Sequence, residues 1–208
     1  MKKISCLIGF LILTLNFIFA QLENIDPDYL NTLNSRAGKI VESLNLEDDD
    51  MAERVQKIIV IQYYELSKVH DLRDEKMDAI KEMEYKEKEV AKLNIQNEIN
   101  SALYKLHAEY LAELSAELTQ KQVEQVKDGM TYGVVLRTYS GYLTLLPELT
   151  DEQKRYIYKN LVEAREFAMD AGSSETKHSW FGKYKGRINN YLSAEGYNLK
   201  EAEQKLKN

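Results

Sequence analysis

The chain concentrates its unusual side chains between Gly172 and Tyr197. This stretch holds the only tryptophan, Trp180, together with His178 and the adjacent amides Asn189 and Asn190. Amide groups supply both donors and acceptors, which the hydroxyl groups of a sugar require. Aromatic rings also stack on the apolar C–H faces of sugar rings. The residue types therefore favour saccharide binding.

Placed on a helix of 3.6 residues per turn, this stretch divides into three faces. An aromatic and aliphatic arc holds Trp180, Tyr184, Ile188, Tyr191 and Leu192, with Phe181 towards its edge. A second face holds Gly182, Gly186, Asn189 and Ser193, and a cationic face holds Lys183, Arg187 and Asn190. The arc is typical of a core face, whereas Lys183 or Arg187 could pair with the carboxylate of a uronic acid. These faces predict an oligosaccharide ligand, with an acidic one as a specific option.

Gly182 and Gly186 lie inside this predicted helix, where each costs about 1 kcal/mol relative to alanine. Such a pair indicates that another group approaches the backbone. A second helix, a ligand or a second copy of the chain would each satisfy this expectation, and the residues leave the three open.

A second candidate region runs from Asp128 to Pro147. Its three glycines predict an irregular segment rather than a regular helix. Tyr132 and Arg137 in this region complete the candidate ligand set, provided that Trp180 faces solvent in a cleft beside them.

Evidence for catalysis is sparse. Glu163, Glu166 and Asp170 share one face of a predicted helix, and paired carboxylates serve glycoside hydrolysis. Acids on an exposed face interleaved with Arg165 are, however, more typical of solvation. The chain has no G-x-S-x-G, P-loop or H-E-x-x-H motif, and its three histidines lack metal-ligand spacing. We predict no cofactor and no metal, and a hydrolase or lyase stays as an alternative.

The first twenty residues have the pattern of a secretory signal peptide. Lys2 and Lys3 precede an interrupted apolar run, and Ala20 is a small residue suited to cleavage. The run is shorter than the roughly 18 to 25 apolar residues of a membrane anchor. The single cysteine, Cys6, lies in this segment, so the mature chain has no disulfide. We predict a periplasmic or extracellular protein without a membrane span.

Charge narrows the choice of partners. Without the signal peptide the chain has 26 lysines and arginines against 34 aspartates and glutamates, a net charge of −8. This balance disfavours nucleic acids and anionic lipids.

The remainder predicts an all-α, single-domain helical bundle over 21–208, with a long, partly projecting helical hairpin. Leucines and isoleucines recur at helical spacing, and the segment from Arg73 to Leu118 is long and charged. Its stretch Tyr85 to Glu89 has few apolar positions, so we expect an exposed arm there.

Local capping signals predict several helix ends. Asp26 before a proline indicates a helix start, and Thr119 and Thr150 each have a glutamine three residues later, which forms a capping box. Gly172 is predicted to end a helix in a left-handed conformation.

Two segments carry a family resemblance, T-Y-G-V-V-L-R-T-Y (Thr131 to Tyr139) and the run from Ala164 to Tyr197. They resemble a secreted all-helical family of Bacteroidetes-type bacteria that has unknown function and is described as a candidate sugar-binding family. The resemblance implies a non-catalytic role in saccharide binding or polysaccharide utilisation, and it brings no catalytic residues. The repeated L-T-x-x-Q motif separately resembles periplasmic helical chaperones. A chaperone or protein-interaction scaffold, or a homodimer, is therefore the alternative.

Overall fold

The computed structural model describes residues 25–206, and this part of the chain contains helices and no strand. The all-α prediction is confirmed. The predicted signal peptide, with its cleavage at Ala20, lies outside the described residues. The helices are α1 (Pro27–Leu44), α2 (Asp49–Ala79), α3 (Tyr85–Glu117), α4 (Gln120–Met130), α5 (Val134–Leu145), α6 (Asp151–Met169), α7 (Ser174–Ala194) and α8 (Leu199–Lys205).

Most helix starts follow from side-chain caps. Asp26 accepts a hydrogen bond from the Tyr29 backbone N–H, and both predicted capping boxes are present, at Thr119 and Thr150. Ser173 forms a third capping box at the start of α7. Each cap satisfies backbone donors that the first turn leaves unpaired, so these helix boundaries are encoded locally.

The first core lies among α1 to α4. Buried side chains such as Leu33, Val55, Ile59 and Leu114 form it. Helices α2 and α3 extend beyond this core as an antiparallel hairpin, and its distal part has a separate apolar cluster of Ile80, Ile95 and Ile99. The predicted projecting hairpin is confirmed, with its turn just before Tyr85.

The second core lies among α5, α6 and α7. Its fully buried side chains include Ile157, Leu161, Ile188 and Leu192. Helix α6 contributes to both cores, because its Met169 packs in the first core. This helix therefore joins the two halves of the bundle.

The predicted irregular region from Asp128 to Pro147 is largely regular, so that expectation is wrong. The break is confined to the turn between α4 and α5, where Tyr132 and Gly133 have φ of 60° and 63°. Gly141 lies within α5 and meets no described atom within 4 Å of an added Cβ. A single left-handed turn thus absorbs the change of direction.

The left-handed conformation predicted for Gly172 is also wrong. Gly172 is absent from the positive-φ residues, and the helix ends at Asp170 with right-handed geometry. The glycine instead makes room for a ring, because a Cβ there would lie 2.7 Å from Cγ of His70. The His70 ring stays close through Nε2, 2.8 Å from the carbonyl oxygen of Asp170.

No helix in the described part of the chain combines the length and the apolar character that a membrane span needs.

Candidate functional site

Helices α6 and α7 run antiparallel and meet in four regular cross-helix rows. The rows are a Tyr156–Tyr191 ring stack at 3.9 Å, an Arg187–Asn160 hydrogen bond of 3.3 Å, a Tyr184–Glu163 hydrogen bond of 2.7 Å and a Phe167–Trp180 ring stack at 4.6 Å. We call these eight residues the α6–α7 strip. Both helices use the same spacing, i, i+4, i+7 and i+11, which keeps all the residues on one face.

The strip is held by core residues that alternate with it. Ile157, Leu161 and Ala164 of α6 are fully buried, as are Ile188 and Leu192 of α7. Eleven residues of helix separate the two ends of the strip, a length of about 16 Å. The strip is therefore a narrow line of rings and polar groups on a rigid helix pair.

Three cations lie over the aromatic rings of the strip. Lys183 Nζ is 4.9 Å from the Trp180 ring centroid, and Arg187 lies 4.4 Å from that of Tyr184. Lys159 Nζ lies 4.9 Å from the Tyr156 ring. Such cation–π contacts are worth about 0.5–1 kcal/mol at exposed sites. These contacts are weak enough for each cation to leave its ring and pair with another charged group.

Exposure differs along the strip. Phe167 is 46% exposed and Trp180 is half-buried, whereas Tyr184 is 3% exposed. Burial, and then the hydrogen bond to Glu163, raise the pKa of Tyr184 to about 12. The Tyr184 hydroxyl therefore stays protonated and donates to Glu163, which fixes the middle of the strip.

An open hollow of about 830 Å³ adjoins the Tyr156 end of the strip. It is lined by Tyr139, Asp151, Glu152, Lys154, Arg155, Tyr156, Tyr158, Lys159 and Tyr191. The Tyr139 and Tyr158 rings meet edge to face at 5.3 Å. Four tyrosines and three cations in one hollow offer stacking surfaces beside hydrogen-bonding and charged groups.

Three of the predicted ligand residues form a separate group near the start of α5. The rings of Tyr132 and His178 stack at 5.8 Å, and Arg137 Nη2 donates to the Tyr132 carbonyl oxygen at 2.6 Å. His178 and Trp180 are two residues apart on α7, which directs them to opposite sides of the helix. The expected single cleft of Trp180 with Tyr132 and Arg137 is therefore not formed.

The predicted amide and glycine face also divides. Asn189 is half-buried and accepts a 2.6 Å hydrogen bond from the Tyr142 hydroxyl, which ties α5 to α7. Asn190, Gly182 and Gly186 are exposed. No described atom lies within 4 Å of a Cβ added at either glycine, so the expected close approach of another helix of the chain is wrong. A ligand or a second copy there stays a prediction.

A cluster of charged side chains joins α6 to α3 and α4, and no sequence signal indicated it. Its members are His107, Glu124, Lys127, Asp128, Arg165, Glu166 and Asp170. Arg165 has only 2% of its side chain exposed; it binds Asp128 at 2.7 Å and contacts Glu124. Lys127 donates to Glu166 at 2.9 Å. We call these residues the ionic cluster.

Two members of the ionic cluster have strongly shifted pKa values. Hydrogen bonds to Asp170 and then Glu166 raise the pKa of His107 to about 9. Burial alone would raise the pKa of Glu166, but hydrogen bonds from His107 and Lys127 outweigh it and hold that pKa at about 2. Both groups are charged at neutral pH.

The carboxylates considered for catalysis thus have separate partners. Glu163 accepts from Tyr184, Glu166 pairs with Lys127, and Asp170 pairs with His107 at 2.7 Å. The expected solvated face is wrong for the last two, which are partly buried. A carboxylate with a pKa near 2 carries no proton to donate at neutral pH, so Glu166 is a poor general acid. Among residues 25–206, no three or more His, Cys, Asp or Glu side chains are grouped as a metal site.

Comparison with known proteins gives a family. The profile of a family described as "Protein of unknown function (DUF3826)" matches residues 30–208. A search of curated proteins finds no match to the chain.

Proposed function

We propose that this chain, which belongs to the DUF3826 family of proteins of unknown function, is a non-catalytic saccharide-binding protein, exported as an accessory to polysaccharide utilisation. The observation that carries the proposal is the α6–α7 strip with its adjoining tyrosine-lined hollow. Both offer ring faces to solvent beside side chains that donate and accept hydrogen bonds.

Sugar binding needs a stacking surface whose position is fixed. Trp180 and Phe167 stack on each other at 4.6 Å, so their rings share one orientation. The hollow supplies a second stacking surface through Tyr158, which is 43% exposed. Because both surfaces lie on regular helices, a ligand orders few side chains on binding, and little affinity is lost to conformational entropy.

The polar groups around the rings suit sugar hydroxyls. Glu163 accepts hydrogen bonds and Arg187 donates them, and their side chains are 52% and 45% exposed. Glu163, Glu166 and Asp170 are each engaged with a partner side chain, which supports a binding role over a catalytic one.

A binding screen tests the proposal. Isothermal calorimetry against neutral and acidic oligosaccharides should detect at least one class of ligand. Trp180→Ala removes the half-buried ring at one end of the strip, and we expect about a tenfold loss of affinity, equivalent to about 1.4 kcal/mol. Tyr158→Ala should weaken ligands that occupy the hollow.

Tyr104→Ala is the matched control, because Tyr104 is 79% exposed on α3. This variant should bind as the unmodified protein does. Thermal unfolding of every variant establishes that each is folded before binding is compared. Absence of binding to any oligosaccharide, or equal affinity of the Trp180, Tyr158 and Tyr104 variants, would refute the proposal.

A second candidate function is a protein-interaction scaffold. Val90 and Leu93 lie one turn apart on α3 with exposures of 62% and 61%, and they form an exposed apolar pair on the projecting hairpin. Such a pair suits an apolar segment of an unfolded client chain. Suppression of client aggregation near a one-to-one ratio, lost on Val90→Ser with Leu93→Ser, would support this function.

A further inference from the structure

We propose that the α6–α7 strip selects linear acidic oligosaccharides, with two of its half-buried rings, Tyr156 and Trp180, stacking on sugar units and the three overlying cations pairing with uronate carboxylates. This inference rests on the proposed saccharide binding and specifies its substrate class. It follows from the repeated pairing of rings with cations along the strip.

The strip repeats one chemical unit three times. Each unit is an aromatic ring with a cation three residues further along the same helix: Tyr156 with Lys159, Trp180 with Lys183 and Tyr184 with Arg187. The cation lies 4.4–4.9 Å from the ring centroid in all three. A uronic acid unit carries the complementary pair of groups, an apolar C–H face and a carboxylate.

The local charge favours an anion although the chain is acidic. The strip and its three overlying cations contain Lys159, Lys183 and Arg187 against one carboxylate, Glu163. That carboxylate already accepts from Tyr184 and contacts Arg187 at 3.5 Å. On a chain of net charge −6, three cations against one carboxylate are a local excess of positive charge, which attracts the carboxylates of a ligand.

A ligand can displace a cation from its aromatic ring and still use that cation as a charge partner. When a sugar C–H face covers the Trp180 ring, the flexible Lys183 side chain moves aside and pairs with the uronate carboxylate. Arg187 has a side chain that is 45% exposed, so its guanidinium reaches a carboxylate from beside Tyr184. A neutral sugar offers the stacking face but leaves both cations without the new partner.

The length of the strip defines the ligand further. The Tyr156 and Phe167 ends are about 16 Å apart, which spans several sugar units. A single uronic acid occupies one of the two stacking rings and its cation, whereas an oligomer reaches both rings and the three cations. We therefore expect affinity to increase with oligomer length until the strip is filled.

The test compares a tetramer of galacturonic acid with its fully methyl-esterified form, which keeps the sugar skeleton and removes the charges. Calorimetry should show at least tenfold tighter binding of the acid, and this advantage should decrease as salt rises from 50 to 300 mM. The galacturonic acid monomer should bind more weakly than the tetramer.

Charge-removing variants locate the effect. Lys183→Gln and Arg187→Gln should each weaken the acid about threefold, and together about tenfold, with little change for the ester. Lys185→Gln is the matched control, because Lys185 is exposed on α7 but lies off the strip.

The outcomes separate this inference from the proposed function. Equal affinity for the acid and the ester, or an equal loss on Lys185→Gln, overturns the acidic selectivity and leaves saccharide binding standing. No binding of either tetramer or of any neutral oligosaccharide overturns both.

Discussion

The ionic cluster makes the stability of the bundle depend on pH through His107. In the folded protein the pKa of His107 is raised to about 9 from an ordinary value of 6.5, chiefly by its hydrogen bond to Asp170. A raised pKa stabilises the folded state fully below pH 6.5, and this contribution is lost as pH rises through 9. The substitution that removes it is His107→Gln.

The magnitude follows from the size of the shift. A difference of about 2.5 pKa units corresponds to about 3.4 kcal/mol. The side chain of His107 is 21% exposed, so solvent screens part of this energy, and we expect about 2 kcal/mol. The unmodified protein should exceed His107→Gln in stability by this amount at pH 6 and by almost nothing above pH 9.5.

Urea unfolding followed by circular dichroism at pH 6, 7, 8, 9 and 9.5 measures the difference, provided that the m-value stays constant. Burial lowers the pKa of Lys177 to about 8 from 10.5, which makes stability rise between those values. This opposing effect is common to both proteins and cancels in the difference. The contribution of Glu166 to stability changes only between its ordinary pKa of 4.5 and its lowered pKa of about 2, which is below the pH range of the assay.

His178→Gln is the matched control, because it makes the same substitution at an exposed histidine outside the ionic cluster. Its difference in stability from the unmodified protein should not depend on pH in the same way. A stability difference between the unmodified protein and His107→Gln that stays constant from pH 6 to 9.5 would refute the reasoning. In that case the carboxylates around His107 would not hold its proton.

Two further predictions concern packing and charge burial. Gly172→Ala should lower the unfolding temperature, because its Cβ would lie 2.7 Å from the His70 ring. Gly182→Ala and Gly186→Ala lie at open helical positions, so each should raise the free energy of unfolding by about 0.5–1 kcal/mol. A loss of stability at Gly182 or Gly186 would show that another group packs there. Arg165→Met leaves partly buried carboxylates without their partner and should cost about 3 kcal/mol or more in urea unfolding; a loss below about 1 kcal/mol would contradict that role.

Helix ends were predictable where a side chain acts on its own neighbours. Thr119 and Thr150 cap their helices through residues three positions away, so the signal lies within one turn of chain. The capping function needs no knowledge of tertiary structure. Gly172 shows the limit of this local reasoning, because its role depends on His70, about a hundred residues earlier.

Only the α7 half of the candidate site was predictable from the sequence. The α7 half of the strip, with Trp180 and Arg187, stands out in the sequence by composition, as does the neighbouring Lys183. Its α6 half does not, since Phe167 has the spacing of a core residue and yet is 46% exposed. A signal existed in the repeated spacing of the two helices, which places Phe167 opposite Trp180 when the helices run antiparallel.

The ionic cluster had no comparable signal. Arg165 meets Asp128 across 37 residues, and His107 meets Asp170 across 63. Pairs so distant in sequence depend on how the helices assemble, and charged residues at helical spacing are ordinarily solvated. Arg165 is therefore read as a surface residue from sequence, although it is among the most buried side chains.

The ionic cluster and the α6–α7 strip both include residues of α6, but they contact different neighbouring helices. The ionic cluster ties α6 to α3 and α4, while the strip ties the same helix to α7 along its solvent-facing edge. Because α6 is anchored in both cores, the rings of the strip keep their spacing without a ligand. Preorganisation of this kind raises affinity by lowering the ordering cost. His107→Gln should therefore lower stability yet leave oligosaccharide affinity unchanged wherever the protein remains folded, since the strip is held by core residues of α6 and α7 as well.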